Sequence, residues 1–204
     1  MKPTDQIVID GFPRSSNTFS SRAFRFANPD VVASHHMHAP ANILLAVRYR
    51  VPTVVVIRSP VDAVLSEVIR ERRKRLRRGL LEWNSFYETV LPVLDRVVVG
   101  DFSTVTVDYS VVIDEVNRRF GTSFVPYHNS PESDEEVFAS IEAGARARGK
   151  SGSRLENQVP RPSKDRAERK AALQAELARP ELRPLVERAQ ALYAEFVAVA
   201  PRPG

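Results

Sequence analysis

An α/β fold, with a parallel central sheet covered by helices on both faces, is what this sequence predicts, and three observations carry that prediction. Residues 6–10 (QIVID) and 53–57 (TVVVI) are apolar runs of strand length, the second β-branched almost throughout as befits a strand buried on both faces. Each runs directly into a turn containing proline, arginine and serine, the first opening on glycine, and a segment of helical spacing follows each turn. Repeated strand and helix alternation over 204 residues, 43% of them hydrophobic, suits one three-layer sandwich around one sizeable core. A single domain over residues 1–204 is therefore expected, with 149–166 as a linker or lid and 167–198 as C-terminal helices.

Taken in order, the strand at 6–10 leads through Gly11, Phe12, Pro13, Arg14, Ser15 and Ser16 into a helix that has Thr18 in its first turn or at its cap. Residues 31–34 read as a short strand, and Pro40 to Val47 as a helix beginning near Ala39. After the strand at 53–57, Arg58, Ser59 and Pro60 open a helix, and the run ERRKRLRR at 71–78 reads as its continuation, a solvated basic face. Leu80 to Leu94 form a second helix. Its Trp83, Phe86 and Tyr87 repeat at the three to four residue spacing of a packed layer, with an acceptor-facing role as the other reading. Residues 96–102 (RVVVGDF) read as a strand and 108–119 as a helix ended by Gly121, with Val112, Ile113, Val116 and Phe120 on its apolar face. A proline and serine-rich loop at 125–134, a helix at 134–148 and two helices at 166–178 and 181–198, divided around Pro180, complete the chain.

The junction at residues 6–18 carries the chemistry. A turn between a parallel strand and a helix can direct several backbone N–H groups and a guanidinium at an anion, and the helix adds its positive end. Set against G-x-x-x-x-G-K-[ST], residues 11–18 have Ser16 in place of the second glycine and Asn17 in place of the lysine, which disfavours an ordinary ATPase or GTPase. Arg14 restores a cation earlier in the turn, and its planar fork suits phosphate oxygens. At the second junction Arg58 stands at the strand end and Ser66 eight residues on, across the helix, so the two can grip one polar anion; an Arg58–Asp62 pair is the alternative.

Together the two segments resemble the nucleotide site of the sulfotransferases that use 3′-phosphoadenosine 5′-phosphosulfate (PAPS). Pro13 to Thr18 resemble that family's 5′-phosphosulfate loop, P-[KR]-S-G-[TN]-T, and Arg58, Pro60 and Ser66 match its 3′-phosphate motif, R-x-P-x-x-x-x-x-S. The resemblance implies a P-loop NTPase-like sulfotransferase fold, with Arg14, Ser15, Ser16, Asn17 and Thr18 at the 5′ end of the donor and Arg58 and Ser66 on the 3′-phosphate. Ser16 departs from the pattern, and strain is expected there if the position needs φ > 0.

Three of the four histidines, His35, His36 and His38, fall between the motifs at a C-terminal strand edge, where open α/β sheets put their ligands. Without cysteines or a partner carboxylate at convincing spacing, zinc is the weaker reading. The family resemblance implies a catalytic histidine in an H-x-P context, which His38, Ala39 and Pro40 match; counting back from the 3′-phosphate motif favours His36. His38 is thus the first candidate for the base that takes the acceptor proton and His36 the second, with Arg14 stabilising the charge that develops on the leaving phosphate. A basic C-terminal segment returning over the nucleotide is a further implication, with Arg154, Lys164 and Arg166 as candidates.

The expectation is therefore transfer of a sulfuryl group from PAPS to a hydroxyl or amine of a small-molecule or carbohydrate acceptor, with no metal required. A magnesium-dependent phosphotransferase with a diverged loop, or a non-catalytic nucleotide- or anion-binding protein, are the alternatives. Thirty Lys and Arg against 25 Asp and Glu, a net charge of +5, are too modest an excess for a nucleic-acid footprint, and no reading motif accompanies them. With no run of about 18 apolar residues and no basic, cleavable apolar N-terminal series, a soluble cytoplasmic enzyme is expected.

Overall fold

The computed structural model describes residues 4–71, 73–149 and 164–203. Four strands form one sheet in the order β2-β1-β3-β4, with β1 at Ile7–Asp10, β2 at Ala33–His35, β3 at Thr53–Ile57 and β4 at Val98–Asp101. Every pairing is parallel. Ile9 lies opposite both His35 of β2 and Val54 of β3, while Ile57 lies opposite Asp101 of β4. This register brings the C-terminal ends of all four strands to one edge, and the turns at 11–16, 36–39 and 58–59 issue from it together.

Period-two alternation divides the apolar residues between two layers. Val55, Ile57, Val97 and Val99 face α2 (Pro40–Arg48), α3 (Pro60–Arg70), α4 (Leu76–Val90) and α9 (Arg183–Ala198), with Trp83, Phe86, Tyr87 and Phe196 at the centre. Ile7, Ile9, Val54, Val56 and Val98 face the other way, onto α1 (Asn17–Ala27), α6 (Ser110–Phe120) and α7 (Pro131–Ala147). The three-layer α/β architecture expected from the sequence is the one observed. Trp83 and Tyr87 are fully buried core, ring centroids 4.4 Å apart, so the core reading of the aromatic row holds.

Several boundaries differ from the sequence reading for identifiable reasons. The helix expected to continue through 71–78 ends at Arg70, where Glu71 leaves helical geometry, and α4 begins at Leu76. Positions 72–75 are four consecutive cations with no apolar residue to anchor the core side of a helix. The break lets Leu76 and Leu80 turn inward, and Lys74 pairs with Glu67 (3.6 Å) and Glu82 (2.6 Å) across it. The α4 helix stops at Val90 because Pro92 follows, and Leu91–Arg96 continue as a 3-10 helix. β4 stops at Asp101, whose carboxylate accepts from the Ser103 N–H and starts the one-turn helix α5 (Phe102–Val105).

α7 starts three residues before the predicted 134. Ser130 and Ser133 form a reciprocal capping box, and Pro131 occupies the first helical position, so the residues read as loop signals are helix-start signals. α6 ends where expected, with Gly121 in the left-handed region at φ 67°. α8 (Lys164–Leu177) and α9 are separated around Pro180. Of the basic C-terminal candidates, Arg154 and most of the 149–166 segment lie outside the described residues, and Lys164 and Arg166 fall in α8. Among the described residues no helix is long and apolar enough to cross a membrane.

Candidate anion-binding site

Glycine is required where β1 ends. A Cβ at Gly11 would lie 2.1 Å from the Val56 carbonyl oxygen, so the turn can pass the β3 backbone only without a side chain. Phe12 then packs edge-on against Phe86, its N–H donating to the Tyr87 hydroxyl at 3.3 Å while that hydroxyl donates to Val56 O at 3.0 Å. Asn17, at the position a lysine holds in triphosphate-binding loops, is buried and donates Nδ2–H to Phe12 O at 2.8 Å, closing the turn on itself. Fixed at both ends, the loop holds Arg14 (φ 67°) and Ser16 (φ 69°, ψ 13°) in the left-handed region. Each residue so held costs about 1–2 kcal/mol.

The two sequence motifs meet at Arg14. Its Nε–H donates to Ser66 Oγ on α3 at 2.9 Å, and Arg58 Nη1 donates to the Arg14 carbonyl at 3.4 Å. Arg58 lies over the Phe102 ring at 4.1 Å, and partial burial lowers its pKa. The alternative Arg58–Asp62 pair is not formed; Asp62 accepts from Lys170 at 2.7 Å instead. Arg14, Ser16, Asn17, Thr18 and Arg58 line one cavity, whereas Ser15 is fully buried and Ser66 reaches the site through Arg14.

The histidine turn borders the same cavity. His35 ends β2, and His36 (φ 61°) and His38 (φ 48°) follow in left-handed geometry. Of the five non-glycine residues with positive φ among those described, four are Arg14, Ser16, His36 and His38, so backbone strain concentrates here. Asp10 organises the turn from below. Its buried carboxylate accepts from Gly11 N–H (3.0 Å), His38 N–H (3.1 Å) and Asn42 Nδ2–H (3.3 Å), while burial raises its pKa against those hydrogen bonds and the nearby His38 ring.

The two candidate bases differ in what they leave available. His38 Nδ1 lies 2.9 Å from the Gly11 carbonyl, which can only accept, so Nδ1 carries the proton and Nε2 holds the lone pair of the neutral ring. His36 has both nitrogens engaged, Nε2 with Thr18 Oγ1 and Nδ1 with His35 Nδ1, each at 2.8 Å. Desolvation of the His36 ring, then the proximity of His35, His38, Arg22 and Arg148, lowers its pKa to about 4.

The cavity measures about 610 Å³ and is walled by five guanidiniums, those of Arg14, Arg22, Arg58, Arg70 and Arg148, against one carboxylate, Asp134. Asp134 accepts from Tyr127 Oη at 2.9 Å and from Asn129, leaving the cationic balance intact. A cavity of this size falls in the range of cofactor and substrate sites. Among the described residues no group of three or more His, Asp or Glu side chains is placed to hold a metal ion.

Sequence reasoning missed Asp10, Arg22 and Arg148. The carboxylate at the last position of an apolar strand, next to Gly11, was a usable signal for the first; Arg22 follows Thr18 by four residues on α1, which puts both on one face. Nothing in the sequence tied Arg148 to the site. No protein-family model matches the chain, and no curated protein matches it. What the fold and site define is an α/β protein with a strongly cationic cleft at the C-terminal edge of a parallel sheet.

Proposed function

We propose that the chain is a sulfotransferase that moves a sulfuryl group from PAPS to a hydroxyl or amine of a small-molecule or carbohydrate acceptor in the cytoplasm. The observation that carries the reading is the convergence of both motifs through Arg14 onto one cavity that also takes in His38. Arg14, the turn N–H groups and Thr18 hold the 5′ end of the donor. Arg58, flattened on Phe102, holds the 3′-phosphate, and Ser66 fixes the Arg14 fork.

His38 takes the acceptor proton on Nε2, its ring oriented by Gly11 O and by Asp10 beneath. The acceptor oxygen or nitrogen bonds to sulfur as the bond from sulfur to the bridging oxygen of the 5′-phosphate breaks. That bond's electron pair leaves with 3′,5′-adenosine bisphosphate, and Arg14 stabilises the charge. The engaged Asn17 amide supplies no cation at the lysine position, which weighs against a magnesium-triphosphate site.

Incubation of the protein with ³⁵S-labelled PAPS and a mixed pool of phenols, alcohols, amines and sugars tests the reading. Label is expected to move from donor to product, and His38→Ala is expected to abolish the transfer while 3′,5′-adenosine bisphosphate still binds. Donor binding without transfer by the unmodified protein would instead select the non-catalytic nucleotide-binding alternative.

A further inference from the structure

The cavity holds a second cationic pair that the donor reading leaves unused. Arg22, one turn beyond Thr18 on α1, and Arg148, at the end of α7, converge over Gly144: a Cβ built there would lie 3.1 Å from Arg22 Nη2 and 3.6 Å from Arg148 Nη1. Both line the cavity, and neither is paired with a carboxylate among the described residues. Burial and then repulsion from Arg25 and Arg148 lower the Arg22 pKa, the mark of guanidiniums held together without a counter-charge. The pair stands beside His36, on the β2 side of the sheet, whereas Arg58 stands at the end of β3. Phe138 and Ile141 supply an apolar wall along α7 on the same side of the cavity.

We propose that Arg22 and Arg148 form an acceptor-recognition subsite that takes an anionic group, a carboxylate or a sulfate or phosphate ester, on an acceptor with an apolar body, and presents the acceptor's hydroxyl to His38. Two converging guanidiniums, one half-buried and one exposed at the cavity wall, suit a planar or tetrahedral oxyanion, which would offset their mutual repulsion. The proposal rests on the sulfotransferase reading for the chemistry but not for the anion site itself. It narrows the acceptor class from any hydroxyl or amine to acidic, partly apolar ones.

Inorganic sulfate is the probe. The protein is first saturated with 3′,5′-adenosine bisphosphate, so that Arg14 and Arg58 are occupied, and sulfate is then titrated while the arginine Nε–H resonances are followed by NMR. Saturable shifts of the Arg22 and Arg148 resonances are expected. Arg148→Ala, at an exposed position, should weaken sulfate about tenfold or more, the effect of losing one charge-assisted partner. Gly144→Asp, on ordinary helical backbone, should do the same by placing a carboxylate between the two guanidiniums. Both changes should weaken the bisphosphate much less than sulfate, because no hydrogen bond or ion pair between described residues joins either position to Arg58. Absence of saturable sulfate binding, or binding that both variants leave unchanged, overturns the proposal. If the bisphosphate itself does not bind, the donor reading fails separately, and the sulfate titration of nucleotide-free protein, with the same two variants, still decides the subsite.

Discussion

Replacing Ser16 by glycine should stabilise this protein, against the usual effect of glycine at the start of a helix. Ser16 has φ 69° and ψ 13°, and a Cβ in that geometry costs about 1–2 kcal/mol, which glycine removes. Against this, glycine gives the unfolded chain more freedom, worth about 0.5–1 kcal/mol. Glycine also removes the Ser16 hydroxyl from Ser20 Oγ, but their 3.4 Å separation is long enough to contribute only a few tenths of a kcal/mol. Ser20 Oγ also donates to the Ser16 carbonyl, a bond that any residue at 16 preserves. The net gain is about 0.5 kcal/mol, a rise in Tm of roughly 1–2 °C for a chain of this length. Thermal unfolding of the unmodified protein, Ser16→Gly and Ser16→Ala decides the matter, since alanine keeps the Cβ while removing the hydroxyl. If glycine and alanine lose stability equally, the hydroxyl matters more than the backbone, and left-handed strain at Ser16 is refuted.

The site's hydrogen bonds and charges set three further outcomes. Tyr87→Phe leaves the Phe12 N–H and the Val56 carbonyl without their buried partner and should cost about 1–3 kcal/mol in urea denaturation; no loss would mean the hydroxyl does not hold the loop. Asp10→Ala orphans donors from Gly11, His38 and Asn42 and should cost at least about 2 kcal/mol, with Asp10→Asn costing less because one acceptor oxygen remains. His36, whose pKa is lowered to about 4 in the folded protein, contributes stability that is fully present above pH 6.5 and is lost as pH falls from there toward 4, because the unfolded chain protonates first. Partial solvent exposure of the residue limits this to about 1 kcal/mol, and the difference between the unmodified protein and His36→Gln in denaturant midpoints at pH 7.5 and 5 measures it.

The fold was largely legible because its strongest signals are local. An uninterrupted TVVVI run can be satisfied only inside a sheet covered on both faces, and residues 53–57 are that strand. Misplaced boundaries arose where one residue type serves two purposes, as with Ser130 and Pro131, turn formers that here cap and begin α7. The helix break near 71 was hidden because a cation run scores as helix by propensity, while the burial that decides it, of Leu76 and Leu80, is tertiary.

At the site, both strand-end turns and the three histidines were legible from the residues alone, since each sits where a strand ends. The division of labour between the histidines was not, because it depends on which nitrogen meets Gly11 O, Thr18 or His35. Ser66 was legible from its spacing to Arg58, but that its hydroxyl accepts from Arg14, a contact across 52 positions, is something no local pattern encodes. Arg148 was illegible for the same reason: α7 packs on α1, and only that packing brings it over Arg22.

Calorimetric titration with 3′,5′-adenosine bisphosphate in the presence of a chelator, beside ATP with magnesium, decides whether the cleft is a sulfuryl-donor site. Metal-independent binding of the bisphosphate is expected, falling at least about tenfold in Arg58→Ala, whose guanidinium would contact the 3′-phosphate. Failure of the bisphosphate to bind while magnesium-ATP binds would overturn the sulfotransferase reading and move a phosphotransferase to the front.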